Sequence, residues 1–192
     1  MMTSLFRRCG FALLVLLCGC STQFSATRSE APGLSLKGQP LYVYSFLDLR
    51  NIELGATMVA EVNKQLGEAL GAAGVPAKVL SYKETEAGRN FINVQATVQV
   101  NPGETARRNA ADEARLGTKY RMVIFPSSTK TGVIKSSVVT WTIYEAATGK
   151  LVWSTTSFVK STTLYSNDEF PQARAKAIVT GVMEELAKSQ LY

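Results

Sequence analysis

The chain has 192 residues, of which 46% are hydrophobic, and a formal net charge of +6. This length and composition fit a single folded domain with a proper core and exclude global disorder. Histidine is absent, which excludes the commonest general base and metal ligand at neutral pH and the catalytic triads built on it.

The three cysteines, Cys9, Cys18 and Cys20, all lie within the first twenty residues. The rest of the chain can therefore form neither a disulfide framework nor a thiolate zinc site. We expect no metal and no dissociable cofactor in the folded body. Lys and Arg residues are scattered along the chain and form no basic stripe interleaved with aromatic residues, so nucleic acid is not expected as a partner.

Residues 1–19 have the three parts of a secretory signal peptide. Arg7 and Arg8 supply the positive n-region, residues 11–17 form a short apolar stretch, and Gly19 is a small residue before a cleavage site. The apolar stretch is far shorter than the roughly 20 residues that cross a bilayer as a helix. We therefore predict a cleaved signal peptide rather than a permanent transmembrane helix.

The end of this signal resembles a bacterial lipobox. Leu17, Cys18, Gly19 and Cys20 occupy its four positions, with Cys18 where Ala, Ser or Thr is commoner. The resemblance implies that Cys20 becomes the N-terminus and carries a diacylglycerol and an N-acyl chain, which anchor durably. Ser21 stands where an inner-membrane retention signal has Asp, which implies the inner leaflet of the outer membrane, facing the periplasm. The alternative is a plain signal peptide in which the cysteines occur by chance.

Residues 20–39 are predicted to be the lipidated cysteine followed by a flexible tether. The segment 21–39 contains four serines, two threonines, two glycines and one proline, without sustained periodicity. Such a composition is typical of a linker. Residues 40–192 are predicted to form a single globular periplasmic domain.

The first half of this domain alternates strand and helix signals. Residues 40–48, "PLYVYSFLD", predict a strand, and the helix that follows is expected to be capped by Asn51 and to end at Gly74. Residues 75–82 predict a second strand, and the strict alternation of 91–100 predicts a third. The apolar stripe of the helix comprises Leu54, Met58, Val59, Val62, Leu66, Ala69, Leu70 and Ala73.

The second half opens with a short charged helix at 105–116. The apolar strand 119–126 is expected at the centre of the sheet, and the polar stretch 127–132 is expected to be a loop. A hairpin follows, with strands at 133–145 and 151–161.

A C-terminal helix, capped by Ser166 or Asn167, completes the predicted domain. Its predicted core face comprises Phe170, Ala173, Ala177, Ile178, Val182 and Leu186. The element order predicts an α/β (α+β) fold, in which a mixed β-sheet of about five to six strands carries three helices and ends in a β-hairpin and a C-terminal helix. The first β-α-β unit favours parallel neighbouring strands.

Two stretches, "EARLGTKYRMVIFP" at 113–126 and "VVTWTIYEAATGKLVWSTTS" at 138–157, resemble the periplasmic lipoprotein domains grouped around the N-terminal domain of TolB. Relatives of that group include the curli-secretion lipoprotein CsgG and the outer-membrane activators of penicillin-binding proteins. The strand predicted at 91–100 departs from the pattern. The resemblance implies a protein that binds or scaffolds, and it carries no catalytic residues.

Four aromatic residues of the hairpin are the candidate binding surface. Trp141 and Trp153 are expected to face each other across the two strands, joined by Tyr144 and Phe158. The alternative is that these rings pack in the core and on the sheet. The polar segments 127–137 and 160–170 are a second candidate, because exposed loops often bind, and solvated loops without a partner are its alternative.

No acid pair in the sequence has the arrangement of a carboxylate dyad. Asp112 and Glu113, like Glu184 and Glu185, are adjacent on helices and point in different directions, so solvated helix faces explain them. We therefore expect a protein that is not an enzyme.

The sequence favours a lipid-anchored periplasmic accessory or scaffold protein that binds another envelope protein. The CsgG likeness allows a second hypothesis, a subunit of an oligomeric envelope secretion or transport assembly, with a homo-oligomer as the partner. A carboxylate-based envelope hydrolase is the third.

Overall fold

A mixed six-stranded sheet forms the frame of the molecule in the computed structural model, which describes residues 21–31, 33–50, 54–81, 110–115, 117–130, 134–162 and 170–192. The spatial order is β1-β6-β5-β4-β2-β3. The strands are β1 Ser21–Ser29, β2 Leu41–Ser45, β3 Ala77–Ser81, β4 Tyr120–Lys130, β5 Ile134–Glu145 and β6 Leu151–Thr162. The helices are α1 Ala56–Ala72, α2 Ala110–Arg115 and α3 Pro171–Lys188, and a 3-10 turn covers Leu47–Arg50.

The sheet joins a parallel part to an antiparallel part. Strand β2 pairs in parallel with both β3 and β4, whereas β4, β5, β6 and β1 pair antiparallel. The α+β fold with a mixed sheet, three helices, a hairpin and a C-terminal helix is therefore confirmed. Strand β4 lies inside the sheet, as its apolar sequence predicted, and β2 and β3 are the expected parallel neighbours.

Helices α1 and α3 pack together on one face of the sheet and bury the main core there. The predicted stripe of α1 is confirmed at Leu54, Met58, Val59, Val62, Leu66 and Leu70, all of which are buried. Gly74 ends that helix with a φ of +78°, a conformation that other residues rarely adopt. The first capping position is Gly55, without a side-chain cap hydrogen bond, and the predicted cap Asn51 lies outside the described residues.

The C-terminal helix departs from its predicted face. It begins at Pro171, after Phe170 in the left-handed conformation (φ 54°), so Phe170 precedes the helix and is 67% exposed. Ala173 and Ala177 are also exposed. The core face comprises Ala175, Ile178, Val179, Val182 and Leu186. The prediction was wrong at Phe170, Ala173 and Ala177 because it took the helix to begin several residues earlier, at Ser166 or Asn167, which lie outside the described residues.

The predicted flexible tether is wrong over Ser21–Ser29, which form the edge strand β1. This strand pairs antiparallel with β6, from Ser21 opposite Lys160 to Ser29 opposite Trp153. The open edge of β6 offers a row of backbone N–H and C=O groups, and the chain satisfies them by returning along it. A bulge between Ser25 and Arg28, with Ala26 at a φ of 56°, interrupts the register.

The polar stretch at 127–132, expected as a loop, instead extends β4 to Lys130. The register shifts between Pro126 and Ser128, because proline cannot donate to the ladder. Beyond it, Thr129 stands opposite Ser137 and Lys130 opposite Ser136. Strand pairing to β5 therefore overrides the loop-like composition.

Several predicted elements lie outside the described residues, namely the strand at 91–100, the first part of the helix at 105–116 and the signal peptide at 1–19. Among the described helices, none is long and apolar enough to span a membrane.

The packing of β1 on α3 depends on Gly181. A Cβ atom there would lie 2.1 Å from Phe24 Cε2 and 2.8 Å from its Cζ, which is well inside van der Waals contact. The ring of Phe24 therefore occupies the space that any other side chain at position 181 would need. The glycine of the helix and the aromatic residue of the strand fit each other.

We expect Gly181→Ala to destabilise the protein by about 1–3 kcal/mol, because the added methyl group overpacks this contact. The measurement is urea unfolding. The matched control is Gly71→Ala in α1, where an added Cβ meets no atom within 4 Å and helix propensity predicts a gain of up to about 1 kcal/mol. If both variants behave alike, Phe24 does not pack on α3. The double variant Phe24→Ala/Gly181→Ala should lose less stability than the sum of the losses in the two single variants, because removing the ring makes room for the added methyl group.

Candidate functional site

The four aromatic residues predicted as a binding surface are divided between the two faces of the sheet. Trp141 and Trp153 are fully buried on the face that carries α1 and α3, with 0% exposure. Their indole N–H groups donate to Ser157 Oγ at 2.9 Å and to Ser189 Oγ at 3.0 Å. Trp141 stands opposite Thr155, so Trp153 is its diagonal neighbour.

Tyr144 and Phe158 lie on the opposite face and are partly buried. Tyr144 packs with the second apolar cluster, formed around Tyr42, Tyr44 and Phe46. The four rings thus form no common surface, and the alternative of core and sheet packing holds for the two tryptophans.

The second face carries a buried polar cluster made by Tyr44, Glu113 and Arg121. Arg121 Nη1 lies 3.1 Å from Glu113 Oε2 and 3.5 Å from Oε1. Tyr44 Oη donates to Glu113 Oε1 at 3.0 Å. All three residues are buried, Arg121 to 5% and Glu113 to 3% exposure. The cluster attaches α2 to the strands β2 and β4.

Burial decides the protonation of this cluster. Loss of solvent raises the pKa of Glu113, and the charge of Arg121 and the hydrogen bond from Tyr44 oppose that rise. Burial, followed by the charge of Glu113, raises the pKa of Tyr44 well above its ordinary value. Tyr44 therefore remains a neutral hydrogen-bond donor at physiological pH. Both oxygens of Glu113 are engaged, so this arrangement suits a structural ion pair.

Glu113 had been expected on a solvated helix face, and the structure corrects this. The signal that could have found it is Arg121, a charged residue in the most apolar strand of the sequence. A buried guanidinium requires a partner of opposite charge, and Glu113 is eight residues earlier in the chain. Sequence reasoning missed the pair because the spacing of residues within the helix does not show which of the two adjacent acids faces the sheet.

The adjacent acids Glu184 and Glu185 of α3 differ in their exposure and contacts. Glu184 is exposed, whereas Glu185 accepts a hydrogen bond from Thr27 Oγ1 at 2.6 Å. Lys188 Nζ lies 2.7 Å from the other oxygen of Glu185. The hydrogen bonds from Lys188 and Thr27 hold the pKa of Glu185 below its ordinary range. Glu185 therefore helps to fix β1 on α3.

Strand β1 is held by side chains as well as by its backbone. The bulge at 26–27 places Thr27 beside Thr155, with the two hydroxyl oxygens 2.9 Å apart. Just after the strand, the N–H of Glu30 donates to the carbonyl of Val152 at 2.9 Å. Together with Phe24 on Gly181, these contacts fix the strand along its length. The predicted lipid attachment at Cys20 is bonded directly to its first residue, while Leu17, Cys18, Gly19 and Cys20 themselves lie outside the described residues.

An open cleft lies at the amino ends of β2 and β3. Tyr42, Lys78 and Thr118 line it together with Pro40, Leu41, Pro76 and Ala77. Lys78 Nζ is 5.7 Å from the centroid of the Tyr42 ring, a cation–π distance. Among the described residues that line the cleft there is no carboxylate. Within the described ranges, no group of three or more Cys, Asp or Glu side chains could hold a metal ion.

The sequence matches no protein-family model and no curated protein sequence. Solved structures that align with it include the PelC dodecamer from Paraburkholderia phytofirmans, with a TM-score of 0.44, 14% identity, and coverage of 83% of this chain and 96% of that one. Lipoprotein GNA1162 from Neisseria meningitidis aligns with a TM-score of 0.44, 14% identity, and coverage of 78% and 99%. The hypothetical protein CT253 from Chlamydia trachomatis aligns with a TM-score of 0.41 and 13% identity, and the alignment covers 81% of this chain and 98% of that one. Similarities at this level indicate neither family nor function.

We expect Glu113→Leu or Arg121→Met to destabilise the protein by about 3–5 kcal/mol, because each leaves the other charge buried without its partner. The double variant should lose much less stability than the two single variants added together, since an apolar pair can replace a buried ion pair. Urea unfolding measures all three. Glu184→Gln is the control, and as an exposed acid it should change stability by less than about 0.5 kcal/mol. Additive losses in the double variant would contradict a coupled pair.

We also expect the contribution of Glu185 to fade in acid. Its pKa is lowered in the folded state, so its stabilisation is present above the unfolded-state pKa and is lost as the pH falls through the folded-state pKa. Glu185→Gln should therefore be less stable than the wild type at pH 7, by up to about 1 kcal/mol, and the difference should shrink steadily as the solution is made more acidic than the pKa of a free carboxyl group. Unfolding midpoints across this range provide the measurement. A constant difference would show that the charge of Glu185 is not involved.

Proposed function

We propose that this protein is a lipid-anchored accessory or scaffold protein on the periplasmic side of the bacterial outer membrane, where it binds another envelope protein. Cys20 carries the diacylglycerol and the N-acyl chain after residues 1–19 are removed. The folded domain performs no catalysis and presents its surface to the partner.

The observation that carries this proposal is the lipobox-like sequence at residues 17–20, which follows a positive and an apolar stretch in the order of a signal peptide. Two acyl chains anchor a protein durably, whereas a single one does not. Ser21 after the cysteine supports the outer membrane as the destination.

The absence of histidine and the engagement of the buried acid support a binding role. Glu113 is occupied by Tyr44 and Arg121, so it offers no free oxygen to a substrate. The same arrangement gives the body a rigid second face, which suits a scaffold.

A subunit of an oligomeric secretion or transport assembly is the second candidate. The sheet supports it through β1, an edge strand whose outer side is unpaired in the described part of the chain, because such edges can pair with another chain. Light scattering of the detergent-extracted protein distinguishes the two. A monomer favours the accessory role, and a closed oligomer favours the assembly.

We expect Cys20→Ala to abolish both labelling by radioactive palmitate and recovery in the membrane fraction, because no sulfur remains to carry the diacylglycerol. Cys18→Ala is the matched control. It changes the neighbouring cysteine to a residue common at that lipobox position, so labelling and fractionation should persist. Labelling that survives Cys20→Ala would refute the anchor.

The partner is sought by in-cell crosslinking of the Cys18→Ala and wild-type proteins, followed by mass spectrometry. We expect one envelope protein to be captured from both and to be lost with Cys20→Ala, since the unanchored protein is no longer concentrated at the membrane. Capture of this chain alone would favour the oligomeric alternative.

A further inference from the structure

The open cleft at the amino ends of β2 and β3 contains two polar groups that the fold leaves unused. Its volume is about 330 Å³, which lies at the lower end of the size range of ligand-binding pockets. Pro40 and Pro76 form part of its wall, and the N–H of Leu41 donates to the carbonyl of Pro76 at 2.8 Å. Because proline fixes its own φ angle, this part of the wall is rigid before any ligand binds.

The first of these groups is the ammonium of Lys78. The side chain of Lys78 is exposed, and its Nζ lies 5.7 Å from the centroid of the Tyr42 ring. A cation–π contact positions an ammonium without neutralising its charge. Among the described residues no carboxylate forms a salt bridge with Lys78. Its positive charge is therefore available to a ligand in the cleft.

The second group is the hydroxyl of Thr118, which lies just before β4. Thr118 is 8% exposed, and its Oγ1 is buried and has no hydrogen-bond partner within the described part of the chain. Its backbone is fixed, because its N–H donates to the carbonyl of Glu113 at 2.9 Å. Buried hydroxyl groups in folded proteins are nearly always paired, and an unpaired one lowers stability. The wall of the cleft thus includes a hydroxyl group whose missing partner a ligand can supply.

The described acids near the amino end of β4 have partners of their own. Both oxygens of Glu113 are engaged by Tyr44 and Arg121. Glu145 belongs to β5, which lies on the other side of β4 from β2, and it accepts a hydrogen bond from Thr148. The cleft therefore suits an anionic group.

A carboxylate matches the two groups better than a phosphate does. It has one charge and two oxygens, which correspond to one ammonium and one hydroxyl group. A phosphate has close to two charges and three strong acceptor oxygens, for which the described lining has too few donors. Beside the polar pair, Leu41, the ring of Tyr42 and the two prolines provide apolar surface. The ligand class that fits is a carboxylate with an apolar group next to it.

The shape of the cleft favours a carboxylate that belongs to a larger molecule. Sites for small molecules enclose most of the surface of their ligand, whereas this cleft is open and Lys78 is exposed. An acidic side chain on a protein surface does not require such enclosure, because the contact continues around it as a polar rim.

We propose that the envelope partner docks in this cleft through an Asp or Glu side chain flanked by apolar residues. Its carboxylate pairs with the ammonium of Lys78 and accepts a hydrogen bond from the hydroxyl group of Thr118. The flanking residues pack on the ring of Tyr42 and on Pro40 and Pro76. This inference rests on the partner-binding role proposed above and specifies the chemistry of the partner.

The experiment measures binding of short peptides to the full chain, purified in detergent, by fluorescence anisotropy. The probe is a labelled seven-residue peptide with a central Glu between Val and Pro residues, and its counterpart has Gln in place of that Glu. Lys78→Gln removes the charge of the cleft. Lys64→Gln, at an exposed position of α1, is the matched control that removes the same charge elsewhere. Thr118→Val removes the hydroxyl group and keeps the branched shape of the side chain.

We expect the Glu peptide to bind about threefold to fivefold more tightly than the Gln peptide. Lys78→Gln should abolish this preference, and Lys64→Gln should retain it. Thr118→Val should weaken binding of the Glu peptide by about twofold to tenfold. The same variant should raise the midpoint of urea unfolding, because it removes an unpaired buried hydroxyl group. A Thr118→Val protein that binds like the wild type would overturn the role of Thr118.

Three results would overturn the cleft as the docking site. The first is equal binding, or no binding, of the two peptides, and the second is a preference that survives Lys78→Gln. The third is competition by free N-acetylglutamate at concentrations similar to those of the peptide, which would show that the cleft takes a small acid.

The proposed function is tested separately from this inference. If in-cell crosslinking captures the same envelope protein at the wild-type level from Lys78→Gln, the scaffold role stands and the docking site is overturned. Failure of the wild-type protein to incorporate palmitate would refute the anchor alone, because peptide binding to the cleft does not depend on the lipid.

Discussion

The docking of β1 between β6 and α3 is the constraint on which the arrangement of the molecule depends. The strand closes the edge of the antiparallel part of the sheet, and its Phe24 fills the space left by Gly181 of α3. A glycine inside a helix normally lowers helix stability, so its presence here is explained by the ring that packs against the backbone. Through this contact the first residues after Cys20 belong to the folded domain.

On the other face of the sheet, the buried ion pair between Arg121 and Glu113 attaches α2 to the strands. Ion pairs in the interior gain little net stability compared with an apolar pair, yet removal of either member is costly. Tyr44 completes the hydrogen bonding and keeps the carboxylate satisfied. The pair thus gives α2 one defined position over β2 and β4, where a purely apolar contact would leave the direction of the helix less restricted.

These two features together shape the proposed role. Because β1 begins at the residue bonded to Cys20, the lipid attachment proposed at Cys20 would hold the domain close to the membrane, with no flexible linker between them. A flexible tether would have favoured searching over a larger radius. The difference follows from a single strand pairing, because loss of that pairing would convert Ser21–Ser29 into a linker.

The sequence by itself determined the α+β fold, the parallel β2–β3 unit, the hairpin and the apolar stripe of α1, because periodicity reports directly which side of an element is buried. The signal and lipobox-like features are also local, so they could be predicted without a fold. Tertiary structure decided the rest. Ser21–Ser29 became a strand because β6 offers an unpaired edge, and 127–130 extended β4 because β5 runs beside it. Trp141 and Trp153 are buried because α1 and α3 cover the face of the sheet on which they lie. Glu113 is buried because it pairs with Arg121 of β4. Each of these outcomes depends on a partner that is distant in the chain or on another element, and composition or spacing within one segment carries no information about such a partner.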